Sequence, residues 1–263
     1  MAPVYADHPF ALIPTPSFPR LKNGEPVPPV DIFHELATDM TLVHNLIIRG
    51  LNAIVLQAPH VTAPADIPPF TRFILAWHLM IAIHHAGEES MFFPEVERMS
   101  GVVGVMDKEK EEHEQFHAGL DELKGYVDAV VAGKEAWDGK RVVSVIEGFG
   151  DVLTGHLSGE VKSLEELRRF GEVKMAGVMK EAGKEAEAGM KALGAFGLAW
   201  AFQQIDQEYE EGTWKDWPPA PWPIKFAAKS VLPRFYPDAL KFAACDRNGK
   251  MQPLYALREK DTQ

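Results

Sequence analysis

Ile74-Leu75-Ala76-Trp77-His78-Leu79-Met80-Ile81-Ala82-Ile83-His84-His85-Ala86-Gly87-Glu88-Glu89-Ser90-Met91 is the stretch on which the fold turns. Ile74, Trp77, Ile81, His84, Glu88 and Met91 advance by alternating steps of three and four, which places them on one face of an α-helix. The stripe begins with large apolar residues and continues, without changing face, as imidazole and carboxylate. The polar groups therefore stand where core residues belong. Burying them without partners costs several kcal/mol for each charged group, and a metal ion held among them removes that cost.

The same substitution recurs in three other segments. Glu112-His113-Glu114-Gln115-Phe116-His117 carries two histidines four apart, and His113, His117, Leu120 and Val127 share a face. Gly155-His156-Leu157-Ser158-Gly159-Glu160 extends a stripe of Phe149, Leu153, His156 and Glu160. In the first helical segment, Met40, His44, Ile47, Leu51 and Ile54 line up likewise. Side chains at i and i+4 stand one turn apart on a helix and can share a metal or reach two adjacent ones. In the second segment His84/Glu88 and His85/Glu89 are both four apart. The first pair shares the Trp77–Ile81–Met91 stripe and is preferred, which leaves His85 beside it as an outer partner of a ligand. His8, His34, His60 and His78 fit no such pattern and read as ordinary histidines.

Around these motifs the chain divides into three. Residues 1–30 are proline-rich and read as an extended lead-in. Residues 31–167 hold helical runs over about 31–57, 70–99, 107–132 and 142–167, separated by proline or glycine, with no alternating strand pattern. That pattern predicts an all-α fold, an antiparallel up-down four-helix bundle. Residues 168–263 form a C-terminal extension packing on the bundle. Its first part, 172–211, is rich in Ala, Gly, Lys and Glu and predicts one or two helices interrupted at Gly189, Gly194 and Gly197. Its second part, with Trp214, Trp217, Pro218, Pro219, Pro221, Trp222 and Pro223, excludes a long helix.

Composition sets the outer bounds. The chain has 263 residues, 46% hydrophobic and 25% charged, with 27 basic and 38 acidic side chains, a net charge of −11. That balance argues against a nucleic-acid partner and against anionic membrane surfaces. The start of the chain has no basic, apolar signal pattern, and no run approaches the roughly 20 apolar residues of a membrane span. A single cysteine, Cys245, excludes an internal disulfide. These features together predict a cytoplasmic protein of open oligomeric state. Ten histidines against that one cysteine are the compositional oddity.

Two other metal architectures compete. His113-Glu114-Gln115-Phe116-His117 matches the His-Glu-x-x-His pattern of zinc metalloproteases, with Glu114 as general base. That reading leaves His44, His84 and Glu88 idle, and the bundle reading instead turns Glu114 outward. A ferritin-like di-iron site needs two Glu-x-x-His motifs, and only Glu114/His117 supplies one.

At His44, His84-x-x-x-Glu88 followed by Phe93-Pro94, His113-x-x-x-His117 and His156-x-x-x-Glu160, the sequence resembles the hemerythrin-like (HHE cation-binding) family over about residues 31–167. The resemblance implies an up-down four-helix bundle around a non-heme di-iron centre. It implies that His113, His117 and His156 bind one iron, that His44 and His84 bind the other, and that Glu88 and Glu160 bridge both. It further implies an open position for oxygen, peroxide or nitric oxide. One departure stands out. Oxygen-carrying hemerythrins place an aspartate five residues after the last histidine, whereas here Glu160 follows His156 by four, so reversible oxygen carriage does not follow. The extension is similar to those of filamentous-fungal hemerythrin-like proteins. The donor set itself suits two iron ions, whereas zinc is satisfied by four ligands. The functions to separate are binding or handling of iron and small ligands, and a di-iron oxidoreductase acting on a small organic metabolite. Trp214, Trp217 and Trp222 could wall a pocket for the latter, or simply cover the bundle's apolar face.

Overall fold

Asp31 opens the first long helix: its carboxylate accepts from the His34 N–H at 2.8 Å, satisfying one of the free donors of the first turn. In the computed structural model, which describes residues 2–16, 21–22, 25–26 and 31–258, this helix, α1, runs Ile32–Gln57. Helix α2 (Ile67–Gly87) begins with prolines in its first turn, where a missing N–H costs nothing. It continues through one π-helical turn, Glu88–Phe92, into α3 (Phe93–Ser100), which stops at Gly101 in the left-handed conformation. Helix α4 spans Asp107–Val131, α5 Gly139–Glu147 and α6 Gly150–Glu166.

The chain is helical as the periodicity predicts. Helix α1 packs on α2 and α6, and α4 packs on the same two. The run predicted over 142–167 is two helices, because the backbone leaves helical geometry at Phe149 (φ −133°). The Phe149 ring fills the notch left by Gly119 on α4, where a Cβ would sit 2.5 Å from it.

A second difference lies at the π turn. Met91 was expected to carry on the buried stripe but is 37% exposed, whereas Phe92 and Phe93 are 1% and 0% exposed. A π turn widens the helix by one residue and shifts the phase of everything after it. The shift keeps Glu88 inward and passes the apolar face to the two phenylalanines.

Helix α1 is covered on nearly every side. Its amides Asn45 and Asn52 clamp the lead-in: Asn45 accepts from Ile13 N–H and donates to Ile13 O, and Asn52 does the same with Phe10. Gln57 donates to Phe242 O and accepts from the Ala256 N–H, both in the extension. Leu21–Lys22 pairs antiparallel with Glu25–Pro26; the remainder of the lead-in beyond residue 16, as far as residue 30, lies outside the described residues.

The extension begins with α7 (Val178–Phe202), which packs along α2, the π turn and α3. It breaks only at Gly194 (φ 64°); Gly189 and Gly197 are helical. Trp200 is fully buried with its ring 5.7 Å from Phe73, and Phe242 sits 4.8 Å from Phe70. The aromatic stretch is a set of short turns, as its prolines require. Trp217 covers α1 and donates to Asp39 at 3.2 Å, whereas Trp222 is 74% exposed. No helix among the described residues is long and apolar enough to cross a membrane.

Candidate metal centre

Four helices and the π turn each deliver a donor to the middle of the ring. His44 comes from α1, His84 and His85 from α2, Glu88 from the π turn, His113 from α4, and His156 and Glu160 from α6. All seven side chains are buried, 0–5% exposed. They form two adjoining groups with ligand atoms mutually within 4.8 Å: His85, His113 and His156; and His44, His84, Glu88 and Glu160.

The two carboxylates stand between the groups. Glu88 Oε1 lies 3.2 Å from His84 Nε2, and its Oε2 lies 3.6 Å from His113 Nε2. Glu160 Oε2 is 3.4 Å from His44 Nε2 and 4.0 Å from His156 Nε2. Neither oxygen of either carboxylate has a hydrogen-bond donor, and His85 Nε2 has no partner.

The outer nitrogens explain why the inner ones are free. His44 Nδ1 lies 2.7 Å from Leu157 O, His113 Nδ1 2.6 Å from Glu89 Oε1, and His156 Nδ1 3.1 Å from Glu112 Oε2. Each of these partners is an acceptor, so the ring proton belongs on Nδ1 and the Nε2 lone pair points inward. His113 Nε2 and His156 Nε2 then face each other at 3.0 Å with no proton between them. His44 Nε2 and His84 Nε2 approach to 3.1 Å. Facing lone pairs and orphaned buried carboxylate oxygens are unfavourable by themselves and fit a cation-binding centre.

Electrostatics agree. Burial and the neighbouring His44 push the His84 pKa down to about 3. Burial pushes His156 down to about 4 against the attraction of Glu160, and drives His85 well below the ordinary range. Burial thus favours the neutral form of His84, His85 and His156, the form that binds metal. Burial and the Glu160 charge hold Glu88 up. Burial would raise Glu160 too, but the contact with His44, and the charge that His44, His156 or His84 carries when protonated, outweigh it and hold it down.

His117 stands apart. It is half-buried, with its ring 6.4 Å from that of His113, and belongs to neither group. The buried stripe of α4 runs Glu109, His113, Phe116, Leu120, Leu123 and Val127, and His117 lies one position beside it. In its place His85 stacks on His113, with centroids 4.2 Å apart. The i, i+4 spacing of His85 and Glu89 carries that signal in the sequence. Glu89 turns to His113 instead, however, and the preferred frame made His85 only an outer partner. Glu109 and Glu112, outside His156, gave no signal, because their partner is on another helix. Glu114 is exposed and belongs to neither group, as the bundle reading expects, and the carboxylate beside His113 Nε2 is Glu88 instead.

The extension adds one more carboxylate. Glu185 of α7 lies against Gly87, where a Cβ would meet its Oε1 at 2.5 Å. Burial and the charge of Glu160 raise its pKa to about 7.

Comparison with known proteins agrees with this geometry. The model of the hemerythrin HHE cation binding domain matches residues 36–167. A protein described as "Dimeric xanthone biosynthesis cluster protein R11", from Cryptosporiopsis sp. (strain 8999), is 28% identical over 228 residues, covering 87% of this chain and 85% of that protein. No solved structure matches the chain significantly. With half of its length matched and two His/Glu groups buried inside that half, the chain belongs to the hemerythrin HHE cation-binding domain family.

Proposed function

We propose that residues 31–167 form an antiparallel up-down bundle holding two iron ions, and that this centre binds or handles O2, peroxide or nitric oxide. The observation that carries the reading is the placement of Glu88 and Glu160 between two groups of inward lone pairs. Five imidazoles and two carboxylates form a mixed nitrogen and oxygen set suited to iron, and more than one four-coordinate zinc can use. Iron held there would supply a redox-active Lewis acid for a small ligand.

The protein's own residues do the rest. His44, His84, Glu88, Glu160, His113 and His156 are the proposed ligands, with His85 as the third imidazole of its group in preference to His117. Leu157 O, Glu89 and Glu112 fix the ring tautomers. Phe92, Phe93 and Phe116, each buried, keep bulk water from the centre. Metal analysis of the purified protein should give about two irons per chain, with an optical band that changes when the reduced protein meets oxygen. One zinc and no iron would refute the reading.

A second reading, a di-iron oxidoreductase acting on a small organic metabolite, draws support from the relative's description as a biosynthesis cluster protein. The position of Glu185, brought by the extension to the π turn, supports it as well. Reduced protein mixed with air separates the two. A stable adduct favours binding, and oxidation of an added metabolite favours the enzyme.

A further inference from the structure

Arg49, on α1 five residues beyond His44, is 3% exposed, and its charge is unmet. Nη1 reaches Gln204 O at 3.4 Å, while Nε and Nη2 have no acceptor. The guanidinium carbon lies 5.0 Å from the centre of the Tyr209 ring. A buried guanidinium is ordinarily met by a carboxylate, because an uncompensated interior charge is strongly destabilising. Among the described residues no ion pair reaches it.

The acids nearby are committed elsewhere. Asp206 accepts from the Glu208 N–H at 2.9 Å. Glu210 accepts from Thr15 N–H, Thr15 Oγ1 and Trp214 Nε1. Tyr209 donates its hydroxyl to Ile13 O, and burial holds its phenol above its ordinary range. Burial pushes the Cys245 thiol up to about 12, so it is no thiolate. Trp200, whose ring packs over Gly50, also buries an indole N–H without an acceptor. The seam thus holds a fixed cation and spare donors, while both oxygens of Glu210 are already engaged.

We propose that the seam between α1 and the end of α7 is a binding site for a small monovalent anion, chloride or a short carboxylate, held on Nε and Nη2 of Arg49. The anion supplies the missing counter-charge and fastens the extension to the helix that carries His44. Water can accept from the same N–H groups but leaves the charge unmet.

The test compares the full-length protein with Arg49→Met, which keeps the stem and removes the charge. Melting curves are recorded at constant ionic strength as gluconate is replaced by chloride, bromide, formate or acetate. Wild type should show a saturable rise, about 3–6 °C at ten times Kd, that Arg49→Met lacks. A response to halides alone assigns chloride, and one that includes formate or acetate assigns a carboxylate. An identical response in the two proteins, or none in wild type, overturns the proposal. If Arg49→Met does not fold, wild-type crystals grown in bromide decide. An anomalous peak beside Nε and Nη2 supports the site, and water or nothing there refutes it.

Discussion

Replacing Glu88 by methionine should move the stability of the metal-free and the metal-loaded protein in opposite directions. Glu88 is fully buried, both its oxygens lack hydrogen-bond partners, and burial beside Glu160 holds its carboxyl well above the ordinary carboxylate range. An unsatisfied buried polar group costs about 1–3 kcal/mol, and methionine of similar length removes it without opening a cavity. For a chain of this size 1 kcal/mol is about 2–4 °C in Tm. Metal-free Glu88→Met should therefore melt about 2–12 °C above metal-free wild type. Wild type should gain about 4 kcal/mol from metal at a thousand times Kd, whereas the variant loses a carboxylate that faces both groups and should gain little. Calorimetry of chelated and iron-loaded samples measures both. A variant that melts lower than wild type without metal, or that keeps the full metal-induced shift, would refute the reasoning.

Three further outcomes are expected. His85→Ala should lower the iron content while His117→Ala leaves it near wild type, read by metal analysis; the reverse result restores the ligand set implied by the family resemblance. Burial raises Asp39 to about 6 although Trp217 donates to it, so the folded state keeps a proton that the unfolded state has lost. Stability should then fall as pH rises from about 4 to 6, and Asp39→Asn should flatten that fall and gain about 1–2 kcal/mol at pH 7, seen in urea titrations at each pH. Gly50→Ala should destabilise by about 1–3 kcal/mol because a Cβ would meet the Trp200 and Trp77 rings at 2.7 Å, whereas Gly125→Ala, with nothing within 4 Å, should stabilise by about 0.5–1 kcal/mol.

The stripes on α1 and α6, and that on α4 apart from His117, were legible because burial and helical period act on adjacent residues. Met40, His44, Ile47, Leu51 and Ile54 are all buried as their spacing requires. Met91 was misplaced because a π turn changes the period from within, and nothing local in Glu88-Glu89-Ser90-Met91-Phe92 announces it. His85 and His117 each sit one step from a buried stripe, and only the packing of α2 against α4 decides which ring enters the centre. The grip of Asn45, Asn52 and Gln57 was hidden for a related reason. Polar residues on an otherwise apolar helix signal a partner without saying which distant segment supplies it.

The enclosure of α1 bears on how this metal-binding segment could be moved or inherited. The family match ends at residue 167, yet the carbonyl that receives Gln57, the indole that fills the notch at Gly50 and the ring that meets Phe70 edge-on all come from beyond residue 199. A fragment cut at the family boundary would bare the outer side of the helix that carries His44, with its amides unpaired in an apolar surface. Grafting or recombination at that boundary should yield aggregates rather than a working module: the unit recognised by descent is smaller than the unit that folds.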